Sequence, residues 1–182
     1  TMREGKWEKK AYGKGIELQG KTLGIVGFGR IGQHLGVMAK AIGMKVVAFD
    51  IFHIPGIEAQ LGIPYVEMDE LLAQSDFISV HAPAVDGGAI INESTIAKMK
   101  DGVTIINTSR GTNVDENALL AALNSGKVRS AGLDVYADEP ATNAALYSHP
   151  MVSCTPHIGA ATGEAQKRIG AEIVDIITHF TF

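Results

Sequence analysis

A single cysteine, Cys154, stands among the 182 residues of the chain. One thiol excludes an internal disulfide framework and any multi-cysteine zinc site, and it fits a reducing, cytoplasmic setting. On a short strand it reads as a small core residue rather than a nucleophile. A strong excess of either charge is missing too: 16 Lys and Arg oppose 20 Asp and Glu, the formal net charge is −4, and the basic residues are scattered. Nucleic acid needs a basic patch and is therefore not expected as a partner. No apolar run approaches the ~18 residues of a membrane-spanning helix. The opening Thr1-Met2-Arg3 starts no signal-peptide core. Repeats, low-complexity tracts and linkers are absent, and no two histidines share a metal-ligand spacing, so no metal is expected.

What is present suits one globular domain: 46% hydrophobic and 20% charged residues can bury a full core. Residues 1–20 read as a leading arm, basic through Lys14, and residues 21–182 as the domain. The cut-off start and the apolar finish IITHFTF read as a piece of a larger polypeptide. Along the domain, strand and helix patterns alternate. Strands are predicted at Thr22 to Val26, at KVVAFD ending on Asp50, briefly at Pro64 to Val66, and at FISVHAP, VTIIN, SAGLDV and MVSCT. Helices are predicted from about Ile31 to Ile42, at Ile57 to Leu61, from an Asp69 cap through Gln74, over NESTIAKMK, over DENALLAALNSG with Gly126 as its stop, and over Gly163 to His179. This alternation implies an α/β fold, a doubly wound parallel sheet with helices on both faces. In such sheets ligands lie beyond the carboxyl ends of the strands.

Three groups of residues meet that edge. GFGRIG places Gly27, Gly29 and Gly32 directly after a strand and at the opening of a helix, with Asp50 closing the next strand 18 residues beyond Gly32. In that context the glycines read as a tight turn, a close approach to a pyrophosphate, and close helix–strand packing; the helix N-terminus offers N–H groups to the phosphates. Glycines that serve only packing are the bland alternative. Asp50 can accept both adenosine ribose hydroxyls and would repel a 2′-phosphate, and Ile51 and Phe52 offer no cation, so the expected cofactor is NAD rather than NADP. The second group is Arg110, a guanidinium after a buried strand, which either caps a carbonyl or pairs with a carboxylate, or else meets an anionic ligand. Asp134, Glu139 and His157 form the third. An arginine to hold an anionic oxygen, a histidine to exchange a hydroxyl proton and an acid to orient it would suit hydride transfer to a carbonyl. A plain salt-bridge network remains the alternative. Of the other histidines, His34, His149 and His179 read as surface residues, while His53 and His81 border the groove.

The stretches LQGKTLGIVGFGRIG, DFISVHAP, MKDGVTIINTSRGTNVDENALLAAL, GLDVYADEP and TPHIGAAT together resemble the D-isomer-specific 2-hydroxyacid dehydrogenase family over nearly the whole chain. GKWEKKAYGKGIELQGKTLGIVG and HIGAATGEAQKRIGAEI are most similar to its phosphoglycerate dehydrogenase branch. The resemblance implies a Rossmann-type NAD-binding domain whose substrate-binding lobe lies outside this chain. It implies oxidation of a D-2-hydroxy acid, D-3-phosphoglycerate first (a step of serine biosynthesis). Glyoxylate/hydroxypyruvate or D-lactate-type reduction and an NAD-sensing, corepressor-like binding protein are the alternatives. By the same resemblance Arg110 binds the substrate carboxylate and carbonyl oxygen, His157 is the general acid/base and Glu139 its partner. Arg30 and Ile31 contact the pyrophosphate, Asp134 faces the nicotinamide end, Ala82, Pro83, Thr108 and Ser109 line the groove, and Ile158, Gly159 and Ala160 close it. A homodimer or higher homo-oligomer is implied. The loop AVDGGAIINE departs from the family by lacking its Pro-x-Thr-type turn.

The Asp50 reading has a direct test. NAD should bind well ahead of NADP, and Asp50→Ala should narrow the gap; calorimetry with both nucleotides measures it, and equal affinities in the parent protein would reject the ribose contact.

Overall fold

Six short runs, the first four rich in β-branched residues, form the strands β1 (Thr22–Val26), β2 (Lys45–Phe49), β3 (Phe77–Val80), β4 (Val103–Asn107), β5 (Val128–Leu133) and β6 (Val152–Cys154) of the computed structural model, which describes residues 2–13, 15–84 and 86–180. Readings that fall on Lys14 and on the last two residues of IITHFTF lie outside the described residues. The strand order is β2-β1-β3-β4-β5-β6, and each neighbouring pair is parallel. Parallel neighbours need crossovers. These are α2 (Arg30–Ala41), then α3 (Ile57–Leu61) with α4 (Met68–Gln74), α5 (Glu93–Ala97), α6 (Glu116–Ser125) and α7 (Ala144–Tyr147); α1 (Lys9–Tyr12) lies in the arm and α8 (Gly163–His179) follows β6.

Alternation along the strands divides the core in two. Leu23, Ile25, Val46 and Ala48 pack with Phe28, Ala39 of α2 and Ile57 of α3. Val26, Val47, Ile78, Val80, Ile105 and Leu133 pack with Leu71 and Leu72 of α4 and Leu119 and Leu123 of α6. Each Val, Leu, Ile or Phe among them, once fully buried, contributes about 1.5–3 kcal/mol. Helix ends are marked chemically: Asn92 and Thr95 form a capping box on α5, Asp115 accepts from the N–H groups of Asn117 and Ala118, and Gly126 ends α6 in the left-handed region at φ 80°.

Several expectations are corrected. The cap of α4 is Glu67, not Asp69, which sits inside the first turn and pairs with Lys98 at 2.7 Å. The Pro64–Val66 strand reduces to one bridge between Ala48 and Tyr65. Cys154 is exposed rather than buried, because β6 is the edge strand of the sheet. His149 is half-buried and its Nδ1 accepts from the Met151 N–H at 3.2 Å. The helices α1 and α7 and a 3-10 turn at Gly111–Asn113 are too short for periodicity to reveal. The last helix spans the expected residues but buries none of them, leaving Ile169, Ile173, Ile176 and Ile177 exposed. Among the described residues no helix is long and apolar enough to cross a membrane.

The amino-terminal edge of the sheet is fastened by Asp76, whose carboxylate accepts from the Thr22 N–H at 2.8 Å and from Lys100 Nζ at 3.0 Å. Burial pushes this carboxyl up, but the Thr22 hydrogen bond and the charges of Lys100 and Lys21 outweigh it and hold the pKa below 3.8. A depressed native pKa adds stability above the unfolded value, which is lost as pH falls through the native one. Asp76→Asn should therefore lower stability at neutral pH, and its deficit should shrink below about pH 4. Urea unfolding across that range measures this; a deficit independent of pH would contradict it.

Candidate active site

All six carboxyl ends share one edge, so the residues that follow each strand converge there. The chain leaves β1 toward β2 on one side and β3 lies on the other, which makes the loop after β1 the topological switch point. In that loop Gly27 has φ 92°, and a Cβ there would stand 2.5 Å from the Ala82 nitrogen, so only glycine fits. At Gly32 a Cβ would overlap the Gly27 carbonyl oxygen, which is how α2 starts against the strand. At Gly29 a Cβ would meet nothing within 4 Å. That open space beside the helix N-terminus, where Arg30 and Ile31 are exposed, is the room a pyrophosphate needs.

Asp50 is half-buried; Oδ2 accepts from the Phe28 N–H at 2.6 Å and Oδ1 from the Phe52 N–H at 3.0 Å. A carboxylate has about four acceptor sites, so two remain for ribose hydroxyls. Ile51 and Phe52 stand exposed beside it. The groove, of ≈ 270 Å³, continues along Gly27, His81, Ala82 and Pro83. Ser79 Oγ lies 2.8 Å from His81 Nε2, and burial pushes the His81 pKa down, leaving the ring neutral at pH 7. His53 stacks on Tyr65 with centroids 4.0 Å apart; His34 and His179 are exposed. These features fit a dinucleotide with a free ribose.

Arg110 projects from a turn built on buried amides. Asn107 Oδ1 accepts from the Ser109 N–H and from Ser109 Oγ, while its Nδ2 donates to the Arg110 carbonyl at 2.9 Å. Asn113, fully buried, donates from Nδ2 to the Ala82 carbonyl and to Ser109 Oγ, tying the turn to the groove wall. Ser109 is thus buried within the turn and Thr108 is exposed beside it. The guanidinium does cap a carbonyl, that of Ser109 at 2.7 Å, through Nη1. No carboxylate pairs with it among the described residues, so its other N–H groups remain for an anion. A Cβ on Gly111 would overlap the Tyr136 carbonyl oxygen, and this contact seats the Arg110 turn on the loop that carries Glu139. Sequence reasoning missed Asn107, Gly111 and Asn113; the available signal was an asparagine closing an apolar strand and a second one, with a glycine, in the polar turn after it.

His157 Nδ1 lies 2.8 Å from Glu139 Oε2, and Glu139 Oε1 accepts from the Tyr136 N–H at 3.3 Å. The hydrogen bond to His157, then that from Tyr136, holds the Glu139 carboxyl below its usual range. Both side chains are open to solvent, at 52% and 40% exposure, so a substrate can reach the ring. A cavity of ≈ 410 Å³ adjoins them, lined also by Tyr136, Tyr147 and Cys154. Burial, then Cys154, pushes the Tyr136 hydroxyl up to about 12. Asp134 is buried, and its carboxylate accepts from Thr155 Oγ1 and from the N–H groups of Ile158 and Gly159. Expected to face the nicotinamide end, it gives three of about four acceptor sites to the His157 turn. Ile158, Gly159 and Ala160 lie exposed beyond it. An arginine with no carboxylate partner among the described residues and a half-exposed histidine held through Nδ1 thus share an edge with the groove beside the glycine loop.

The chain is similar to known proteins along nearly all of its length. A family model described as D-isomer specific 2-hydroxyacid dehydrogenase, NAD binding domain, matches residues 1–159. A hydroxypyruvate reductase of Thermotoga maritima is 51% identical over 181 residues, covering 97% of this chain and 58% of that protein. A D-3-phosphoglycerate dehydrogenase of Mycobacterium tuberculosis is 45% identical over 178 residues, covering 97% of this chain and 34% of that protein. The crystal structure of a glyoxylate reductase from Paecilomyes thermophila superposes with a TM-score of 0.88 at 42% identity, over 97% of this chain and 54% of that one. The chain therefore spans little more than half the length of these relatives, or less.

The Gly111 contact can be tested without any ligand. Gly111→Ala must push the Arg110 turn off the Tyr136–Ala137 peptide and should cost about 2–4 kcal/mol. Denaturant unfolding gives the number, and a cost under about 0.5 kcal/mol, as for an ordinary surface change, would refute the seating.

Proposed function

The chain belongs to the D-isomer-specific 2-hydroxyacid dehydrogenase family as an NAD-binding domain, and from this we propose that it serves the NAD-dependent oxidation of a D-2-hydroxy acid to a 2-oxo acid. One observation carries the reading: the His157–Glu139 pair, 2.8 Å apart, opens to solvent at the same strand edge as the glycine loop and Arg110. NAD, held by the glycine loop and Asp50, would supply the acceptor for the substrate's hydride. Arg110 grips the substrate carboxylate and the oxygen that becomes the carbonyl. His157 takes the hydroxyl proton on Nε2, since Nδ1 is engaged by Glu139, which fixes the ring's direction. Gly27, Gly29, Arg30, Ile31 and Gly32 receive the pyrophosphate, Asp50 the adenosine ribose. Ala82, Pro83, Thr108 and Ser109 form the groove, and Asp134, with Ile158, Gly159 and Ala160, bounds the nicotinamide end.

We take residues 21–182 as the working domain, behind an arm over residues 1–20. D-3-Phosphoglycerate is the first substrate reading, as a step of serine biosynthesis in the cytoplasm, with the domain acting as a homodimer or higher homo-oligomer. The 51% identity to a hydroxypyruvate reductase supports a second, in which hydroxypyruvate or glyoxylate is reduced. Both need a second lobe to hold the substrate and exclude water.

The test pairs binding with turnover. This chain should bind NAD and show negligible oxidation of any 2-hydroxy acid, while the complete polypeptide that contains it turns over. There His157→Ala should cut turnover by about 10²–10⁴ with NAD affinity nearly unchanged. Robust turnover by the chain alone would overturn the two-lobe reading, and failure to bind NAD would undo the groove. NAD binding without turnover in the complete polypeptide would favour an NAD-sensing binding protein.

A further inference from the structure

We propose that Asp134 is a positioning residue, whose buried carboxylate clamps the turn after β6 in a left-handed conformation at His157 and so aims the imidazole. Among the described residues His157 is the only non-glycine with positive φ, at 54°. A side chain with a Cβ disfavours that backbone, so something must hold it there. Three donors around the residue converge on one carboxylate. Thr155 Oγ1, two residues before His157, donates to Asp134 Oδ1 at 2.6 Å; the N–H of Ile158 donates to the same oxygen at 2.9 Å, and that of Gly159 to Oδ2 at 2.8 Å. A Cβ on residue 159 would stand 2.9 Å from Oδ2, so the close approach there relies on glycine. The carboxylate is itself anchored in the sheet, because the Asp134 N–H donates to the Asn107 carbonyl at 3.0 Å. Asp134 thus fixes the backbone of the turn from beneath, as Glu139 fixes the ring from the side. Burial pushes the Asp134 carboxyl up, but the bonds from Thr155, Ile158 and Gly159 and the charge of His157 bring it below the usual range and keep it ionised.

This inference rests on the reading of His157 as the proton-exchanging residue, but its test needs neither cofactor nor turnover, so the two can fail separately. In this chain, Asp134→Asn places an amide N–H against donors. Amide hydrogen exchange at residues 158 and 159 should accelerate about tenfold or more, with β3 and β4 unchanged. The imidazole nitrogen resonances of His157 should move as the ring leaves Glu139. The second measurement is a cycle. His157→Gly removes the backbone conflict, and in that background the Tm loss caused by Asp134→Asn should fall to about half. Gly159→Ala and Thr155→Val, milder changes to the same clamp, should reproduce the exchange effect if Asp134→Asn does not fold. Unchanged exchange at 158 and 159, unmoved His157 resonances, or the same Tm loss with and without the His157 side chain would each overturn the clamp.

Discussion

Because every strand pairs in parallel with its neighbours, the chain must travel back across the sheet after each one and arrive again at the same edge. Every strand exit is therefore a loop facing the same region of space. Gly27, Asp50, Ala82, Arg110, Asp134 and His157 come from six different loops, yet no long-range design beyond the sheet is needed to bring them together. The two core clusters, one on each face, keep the strands in register and so keep that edge rigid.

Rigidity at the edge comes from polar groups that the sheet itself buries. The Arg110 turn is fastened by neutral amides, Asn107 and Asn113, whose hydrogen bonds run to backbone carbonyls and to Ser109. The His157 turn is fastened by an ionised carboxylate that collects three donors. The difference suits the cargo of each turn. A guanidinium stays charged without help, and a nearby anion would occupy its N–H groups, whereas an imidazolium is favoured by negative charge close by. The Gly111–Tyr136 contact joins the Arg110 turn to the loop that carries Glu139, whose carboxylate in turn meets His157.

Much of this was legible in the order of residues, for local reasons. The strand at Thr22 to Val26, the stop at Gly126 and the last helix follow from periodicity and from glycine's freedom, and each lies where the pattern placed it. The glycine loop and Asp50 were readable because strand, turn and helix lie within thirty residues of one another. Arg110, Glu139 and His157 could be grouped by their strand ends, but the resemblance, not the spacing, paired Glu139 with His157. What stayed hidden depends on partners distant in the chain. Gly111 matters because of Tyr136, Asn113 because of Ala82, and Thr155 because of Asp134. Cys154 was misjudged because a strand pattern does not say which strand ends the sheet. Asp69 was misjudged because a good capping residue need not sit at the cap.

The same parallel order gathers the starts of the strands at the opposite edge. Gly126, which turns the chain from α6 into β5 there, is exposed. Fluorophores, affinity tags or an inserted domain joined at that turn would sit a full strand length from the groove, where exposed loop tips accept additions best. The protein thus has a handle end and a working end. An engineer could decorate or tether it by the first while leaving the second open to its ligands.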